Sequence, residues 1–253
     1  MQVGAGNDIL IGGTIISGTT PKVVAVRGLG PSLAQFGITG FLANPNLELR
    51  DSAGSLVANN DNWQDDSTQA AQLSALGLAL PDSNESGLIA TLDPGSYTAL
   101  MSGVSDTTGI GLLEIYDTNP DSGSELANIS TRGLVGAGNN VMISGFILGQ
   151  GGSPSIVIHG IGPSLAGLGI PNPLADPTLE LRDNNGTLID SNDNCGDPHP
   201  IQNGFVSACA DSCTPGSLES CMNDLLPPGA YTAILAGKNG GTGIGLLEIF
   251  NLH

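Results

Sequence analysis

Short apolar runs separated by Gly, Pro, Asn and Ser recur along the whole chain, as in "KVVAVRG" (22–28) and "SYTAL" (96–100). The runs are rich in Val, Ile, Leu and Thr, and turn formers follow each of them, which is typical of β-strands. Leu47 and Leu49 alternate with Glu48 and Arg50, so one face of that run is apolar and the other is charged. The pattern predicts an all-β chain.

Turn chemistry and one helical stretch refine this prediction. "RDNNGTLI" (182–189) predicts a hairpin in which Asn185-Gly186 occupies the tight turn, where positive φ is needed. The segment 67–80 is the one stretch with leucines near helical spacing, at Leu73, Leu76 and Leu80.

A long internal repeat organises the chain. "GLGPSLAQFGI" (28–38) matches "GIGPSLAGLGI" (160–170) at an offset of 132, and "TGIGLLEIY" (108–116) matches "TGIGLLEIF" (242–250) at an offset of 134. A period this long predicts two homologous domains rather than a solenoid. We expect two tandem β-sandwiches of jelly-roll or Greek-key type, over 1–117 and 127–253, joined by a linker over 118–126.

The charge excludes several classes of partner. With 24 acidic residues against six basic ones, the net charge is −18, and the basic residues are scattered. Binding to nucleic acid or anionic lipid is therefore disfavoured. No apolar run is long enough for a membrane-spanning helix, so we expect no membrane insertion.

The cysteines predict an exported protein. All four lie in a Cys-rich loop over 195–221 of the second domain, at Cys195, Cys209, Cys213 and Cys221, and the first domain has none. An even local set in a loop-rich chain predicts two disulfides, with three pairings open. A zinc site is the weaker alternative, because there is no C-x-x-C pair.

We expect the first domain to lack its opening strand. The segment "ANISTRG" (127–133) opens the second domain and has no counterpart ahead of Met1, which predicts a processed chain and an open sheet edge. Strand addition from another copy would cover that edge, and a head-to-tail contact of this kind builds a filament. The predicted assembly interface comprises Val3, Ile9, Ile11, Ile15, Asn128, Ile129 and Thr131.

"NISTRG", "GIGPSLA" and "PPGAYTAILAGKNGGTGIGLLEIF" resemble repeated domains of large secreted proteins in Verrucomicrobia-like and Acidobacteria-like bacteria, for which no activity is assigned. More distantly, "LELRDNNGTLIDSNDN" and "PPGAYTAIL" resemble the pre-peptidase C-terminal β-sandwich, some members of which bind calcium with loop carboxylates. The matching residues are Asp61, Asp65, Asp66, Asp190, Asp193 and Asp197. The resemblance thus implies calcium as a cofactor, and oxygen ligands of this kind suit it.

No catalytic set emerges. "GPSLA" (30–34 and 162–166) departs from the nucleophile elbow at its fifth position, and the first domain contains no His. The simpler interpretation is a tight turn with a capping Ser. We expect no enzyme, but an extracellular structural protein, the subunit of a bacterial surface filament or array. The alternatives are a secreted adhesion or glycan-binding module, with or without calcium, and an accessory domain removed during maturation of a secreted hydrolase.

Overall fold

The structure is a computed structural model that describes residues 1–120, 122–149, 152–197, 209 and 216–252. The chain divides into two compact units, Met1–Ile129 and Ser130–His253, here called unit 1 and unit 2. Both consist mainly of antiparallel strands, which confirms the predicted all-β class.

Unit 1 contains two facing sheets. One has the order β5-β4-β7-β2-β10 and the other the order β6-β3-β9, and a short pair, β1 and β8, lies outside these orders. The strands are β1 (Gln2–Val3), β2 (Leu10–Gly18), β3 (Lys22–Leu29), β4 (Pro45–Asp51), β5 (Leu56–Asn60), β6 (Ser86–Leu92), β7 (Gly95–Gly103), β8 (Gly109–Ile110), β9 (Leu112–Asp117) and β10 (Ser124–Val135).

The core of unit 1 lies between these sheets. Leu47 and Leu49 of β4 point into it and pack with Val24 and Val26 of β3, all at most 2% exposed. Gly28 of β3 lies directly over Leu47, where even a Cβ atom would come within 3.1 Å of the leucine side chain. The alternation predicted for Leu47 and Leu49 is confirmed, and it gives unit 1 its sandwich character.

A second cluster covers the outer face of the β6-β3-β9 sheet. Helix α1 (Ser67–Ala75) places Leu73 there, fully buried beside Trp63 and Leu80. Asp66 caps the helix, because its Oδ1 accepts from the backbone N–H groups of Thr68 and Gln69. The predicted helix is confirmed, although it ends earlier than Leu80.

Unit 2 also contains two sheets. β11 (Met142–Leu148), β16 (Gly229–Gly237), β13 (Pro177–Asp183) and β14 (Leu188–Asn192) form one, in that order. β15 (Ser220–Leu225), β12 (Ser155–Ile161) and β17 (Gly243–Leu252) form the other, in which β17 also neighbours β10. The predicted hairpin is confirmed, since β13 and β14 pair and Gly186 has φ +79°.

The boundary between the units differs from the predicted one. Residues 118–126 were expected to be a linker and 127–253 a second domain, but β10 begins at Ser124 and its first six residues belong to unit 1. The reason is apolar burial, because the side chain of Leu126 packs against the core of unit 1. The strand that the sequence suggested was missing from unit 1 is therefore provided by the chain itself.

Candidate functional site

The edge of β2 in unit 1 is covered by the first half of β10. The Thr14 hydroxyl donates to the Asn128 carbonyl at 2.9 Å, and the Ser17 hydroxyl donates to Glu125 Oε1 at 3.3 Å. Further along, the Ser124 hydroxyl donates to the Thr20 carbonyl at 2.7 Å. The partner's residue number falls as that of β2 rises, so the two strands run antiparallel.

Close approach of the two segments depends on Gly18. Its φ is +118°, and a Cβ atom there would lie 2.4 Å from Ser124 Oγ and 2.7 Å from the Gly123 carbonyl oxygen. Only glycine fits such a position without moving the neighbouring strand.

The predicted assembly interface is therefore occupied within the chain. Val3 is fully buried and pairs with Gly109, and Asn128 is 6% exposed beside β2. Ile11 and Ile15 lie on β2, whose two edges are taken by β7 and β10. Ile9 is partly buried just before β2, and Ile129 and Thr131 lie within β10. The expectation of an open edge at β2 was wrong, because the end of the predicted linker and the first residues of the predicted second domain, Ser124–Ile129, form the strand that covers it.

The equivalent edge in unit 2 is the candidate functional site. The offset of 132 aligns β2 (Leu10–Gly18) with β11 (Met142–Leu148). Within the described residues β11 has one strand neighbour, β16, with which it pairs from Met142 to Leu148. Exposure reflects this difference, because Ile147 is 79% exposed whereas its counterpart Ile15 is 39% exposed.

The composition of β11 makes this edge unusual. Its sequence, "MISGFIL", has no charged residue and no Pro, and Ile143 is also exposed, at 51%. The edge strands β14 and β15 of the same unit contain Asp190 and Asp224. Natural proteins usually protect an edge with charge, Pro or a covering element. We call the β11 edge, from Met142 to Leu148, the free edge.

The inward-facing side chains of the free edge are buried in unit 2. Phe146 is 7% exposed and stacks on Tyr231 of β16, with ring centroids 5.4 Å apart. Met142 is fully buried, and Ser144 is 6% exposed. The strand therefore presents its exposed isoleucines and its outer backbone groups in a fixed, extended form.

Most of the residues predicted to bind calcium have other partners. Asp66 caps α1, and Asp65 Oδ2 accepts from the Asn62 side chain at 3.4 Å. Asp193 pairs with the Lys238 ammonium at 2.5 Å. Asp61 is partly buried, and Asp197 Oδ2 accepts from Asn194 at 3.3 Å. Across the described parts of the chain, no three His, Cys, Asp or Glu side chains are grouped so that they could hold a metal ion.

Asp190 belongs to a pair that the sequence analysis did not find. It lies 9% exposed on β14 beside Asp224 of β15, which is 3% exposed. Burial, together with the charge of Asp190 and a hydrogen bond to it, raises the pKa of Asp224 to about 7. Comparison of the two repeats could have found this pair, since the equivalent residues of unit 1 are the apolar Ala58 and Ala90.

One disulfide joins Cys209 to Cys221, with Cα atoms 5.8 Å apart, and Cys195 is also disulfide-bonded. The prediction for Cys213 falls outside the described residues. Cys195 and Cys221 occupy the positions of Trp63 and Gly87 in unit 1, where Trp63 packs over a glycine with no room for a side chain.

The serine of the "GPSLA" motif and two strand glutamates are held in structural contacts. Ser32 of the first "GPSLA" does not cap its 3-10 turn; its N–H and hydroxyl both donate to Glu85, which is fully buried. Glu114 forms an ion pair with Arg27, directly opposite on the neighbouring strand, at 2.5 Å. In unit 2 the corresponding pair is Glu248 and His159, at 3.9 Å.

Comparisons with known proteins identify no family. No protein-family model matches the chain, and no curated protein sequence matches it. Among solved structures, a protein from Eubacterium rectale is 11% identical with a TM-score of 0.22, over 95% of this chain and 68% of that one. PNGF-II is 10% identical with a TM-score of 0.22, over 99% and 61%.

The VP2 subviral particle of infectious bursal disease virus is 10% identical, with a TM-score of 0.19 over 99% of this chain and 70% of that one. Likenesses at these scores support no functional argument. Of the helices in the described ranges, none is long and apolar enough to cross a bilayer.

Proposed function

We propose that this chain is an extracellular structural protein, the subunit of a bacterial surface filament or array that assembles head to tail by strand addition. The observation that carries the proposal is the free edge of β11, an uncharged seven-residue strand with one neighbour among the described residues. Backbone groups along such an edge pair readily with a strand from another molecule.

Two further features support an exported, durable subunit. The Cys209–Cys221 disulfide suits an oxidising compartment, because thiols stay reduced in the cytosol. With a net charge of −18, unassembled subunits repel one another. Association then requires a specific contact, because non-specific aggregation is disfavoured. A contact between different surfaces of two copies continues indefinitely unless it closes into a ring.

Electron microscopy of the purified chain, combined with sedimentation across a concentration series, tests this function. We expect regular fibres or sheets built from 25.4 kDa subunits. Ile147→Lys places a charge on the free edge at a side chain that is already 79% exposed, and it should abolish assembly without unfolding unit 2.

Ile15→Lys is the matched control, because Ile15 is the equivalent residue on a strand whose edges are both occupied. It should leave assembly intact. A wild-type chain that remains a monomer at every concentration, in the native secreted material as well as in purified form, would overturn the proposed function.

A further inference from the structure

We infer that the free edge of β11 accepts a strand with the residue pattern of Ser124–Ile129, "SELANI", carried by another copy of this repeat. The inference rests on the proposed function, in that it names the partner for the same edge. The protein itself contains the completed arrangement, since that segment covers β2, the repeat equivalent of β11.

The donor strand has features that suit an inserted strand rather than a linker. Leu126 packs into the core of unit 1, while the Asn128 carbonyl accepts from Thr14 on the neighbouring strand. The Glu125 side chain lies at the outer end, beside Ser17. An extended segment of this kind binds through its backbone and gains specificity from alternate side chains.

The repeat fixes the orientation of the donor at β11. The offset of 132 converts Thr14 and Ser17 into Phe146 and Gly149. The donor should therefore run antiparallel to β11, with its Asn128-like residue beside Phe146 and its Glu125-like residue beside Gly149. A side chain at Gly149 would meet no atom within 4 Å, which leaves space for the glutamate-bearing end.

In unit 1 the donor strand leads directly into the next repeat, because β10 continues from Ile129 into Ser130 of unit 2. The donor for β11 is by the same logic a further segment of this pattern that leads into another repeat, because Ser124–Ile129 itself is already bound to β2 of its own chain. Each junction between repeats would then resemble the one already present inside the chain.

A synthetic peptide with the sequence of residues 122–133, "SGSELANISTRG", tests the inference on the full chain. We expect saturable binding by fluorescence anisotropy, and protection of β11 amides from hydrogen exchange with no change at β2. The peptide with Leu126→Asp should bind at least about tenfold more weakly, because it places a charge in the core.

Two further peptides, N-methylated at alternate residues, provide the signature of strand addition. Adjacent residues in a strand direct their N–H groups to opposite sides, so one methylation series should abolish binding and the other should leave it intact. Equal effects of the two series, protection at β2 instead of β11, or no binding at all would overturn the inference.

The result is separable from the test of assembly. Peptide binding by a protein that forms no fibres would contradict the proposed function and support the assigned edge. Fibres that persist when the peptide does not bind would support the function and overturn the donor. A discrete dimer that pairs β11 with β11 would also overturn the donor.

Discussion

At the scale of single residues, the two units replace apolar contacts with polar ones at matched positions. Ala58 and Ala90 in unit 1 become Asp190 and Asp224 in unit 2, and Gly87 becomes Cys221. Buried carboxyl groups of this kind cost stability when they ionise, unless a partner compensates the charge. These positions are therefore where the stability of unit 2 depends on pH.

The buried acid pair makes unit 2 less stable near neutral pH. Because the folded pKa of Asp224 is about 7, above the ordinary value of 3.8, the unfolded chain releases its proton first as pH rises. The free energy of unfolding therefore falls between about pH 4 and pH 7. We expect the double variant Asp190→Ala/Asp224→Ala to be stabilised by ~2 kcal/mol at pH 7.5 relative to wild type.

Urea unfolding at pH 4.5 and pH 7.5 measures this difference. At pH 4.5 the stabilisation should largely disappear, since the carboxyl group of Asp224 is then protonated in the folded protein. The alanine pair of unit 1 shows that the fold accommodates the smaller side chains at the equivalent place. A variant that is less stable than wild type at pH 7.5 would contradict the argument.

A glutamate side chain holds the "GPSLA" turn in each unit. Glu85 Oε1 accepts from the N–H groups of Gly30 and Ser32 and from the Ser32 hydroxyl, whereas Glu219 accepts from two backbone N–H groups and is partly exposed. Glu85→Gln should cost ~2–3 kcal/mol, since a neutral amide oxygen accepts these three bonds less strongly than a buried carboxylate and the amide NH2 would face the Asp82 N–H.

Glu219→Gln is the matched comparison and should cost ~1 kcal/mol, because solvent compensates the lost contact. Denaturant melts of the two variants at neutral pH give the difference. Equal losses of unfolding free energy would show that burial of Glu85 is not what gives its contacts their strength.

At the scale of elements, strands and hairpins were predictable and their partners were not. Alternation along β4 and the Asn185-Gly186 turn are local signals, and both correspond to the observed structure. The edge that β10 covers depends on residues far apart in sequence, such as Thr14 and Asn128. Ser122 and Gly123 were interpreted as part of a linker. Turn-forming residues also occur directly before a strand, and the sequence alone does not distinguish the two cases.

Of the candidate site, the sequence predicted an exposed apolar edge strand but not its place. Strand addition at that edge stays a prediction. β2 and β11 have nearly the same pattern of residues, and what separates them is the occupied neighbour of β2. The pair of Asp190 and Asp224 was missed because they lie on strands of two facing sheets, 34 residues apart.

Closure of the β2 edge should depend on Gly18. Gly18→Ala places a Cβ atom 2.4 Å from Ser124 Oγ at a φ of +118°. We expect a loss of ~2–4 kcal/mol and faster amide exchange along β2, because β10 must move away. Gly54→Ala, at φ +78° with no atom within 4 Å of the new Cβ, should cost only ~1 kcal/mol.

Hydrogen exchange followed by mass spectrometry distinguishes the two variants. In Gly54→Ala the amides of β2 should exchange as in wild type. If both variants lose the same stability and neither alters β2, then the contact between Gly18 and Ser124 does not control the edge.

At the scale of the whole molecule, the net charge should control the rate of the proposed association. Subunits with a net charge of −18 repel one another at low ionic strength, and salt screens that repulsion. The free edge itself carries no charge. Raising NaCl from ~20 mM to ~300 mM should therefore accelerate assembly, since the Debye length falls from ~20 Å to below 10 Å.

Light scattering against time at several salt concentrations follows this effect. The Ile147→Lys variant should stay unassembled at every salt concentration. Salting-out would aggregate this variant as well as the wild type, so its behaviour distinguishes salting-out from assembly through the free edge. Slower assembly of the wild type at higher salt would indicate that attraction between charges, rather than the uncharged edge, drives association.

The course of β10 has a consequence for how the chain can be divided. The strand that closes unit 1 lies, in sequence, at the start of the second repeat. The boundaries of the sequence repeat therefore differ from the boundaries of the folded units. A fragment that ends at Asp117, the last residue of the predicted first domain, would lose its closing strand. A fragment extended to Ile129 would keep it.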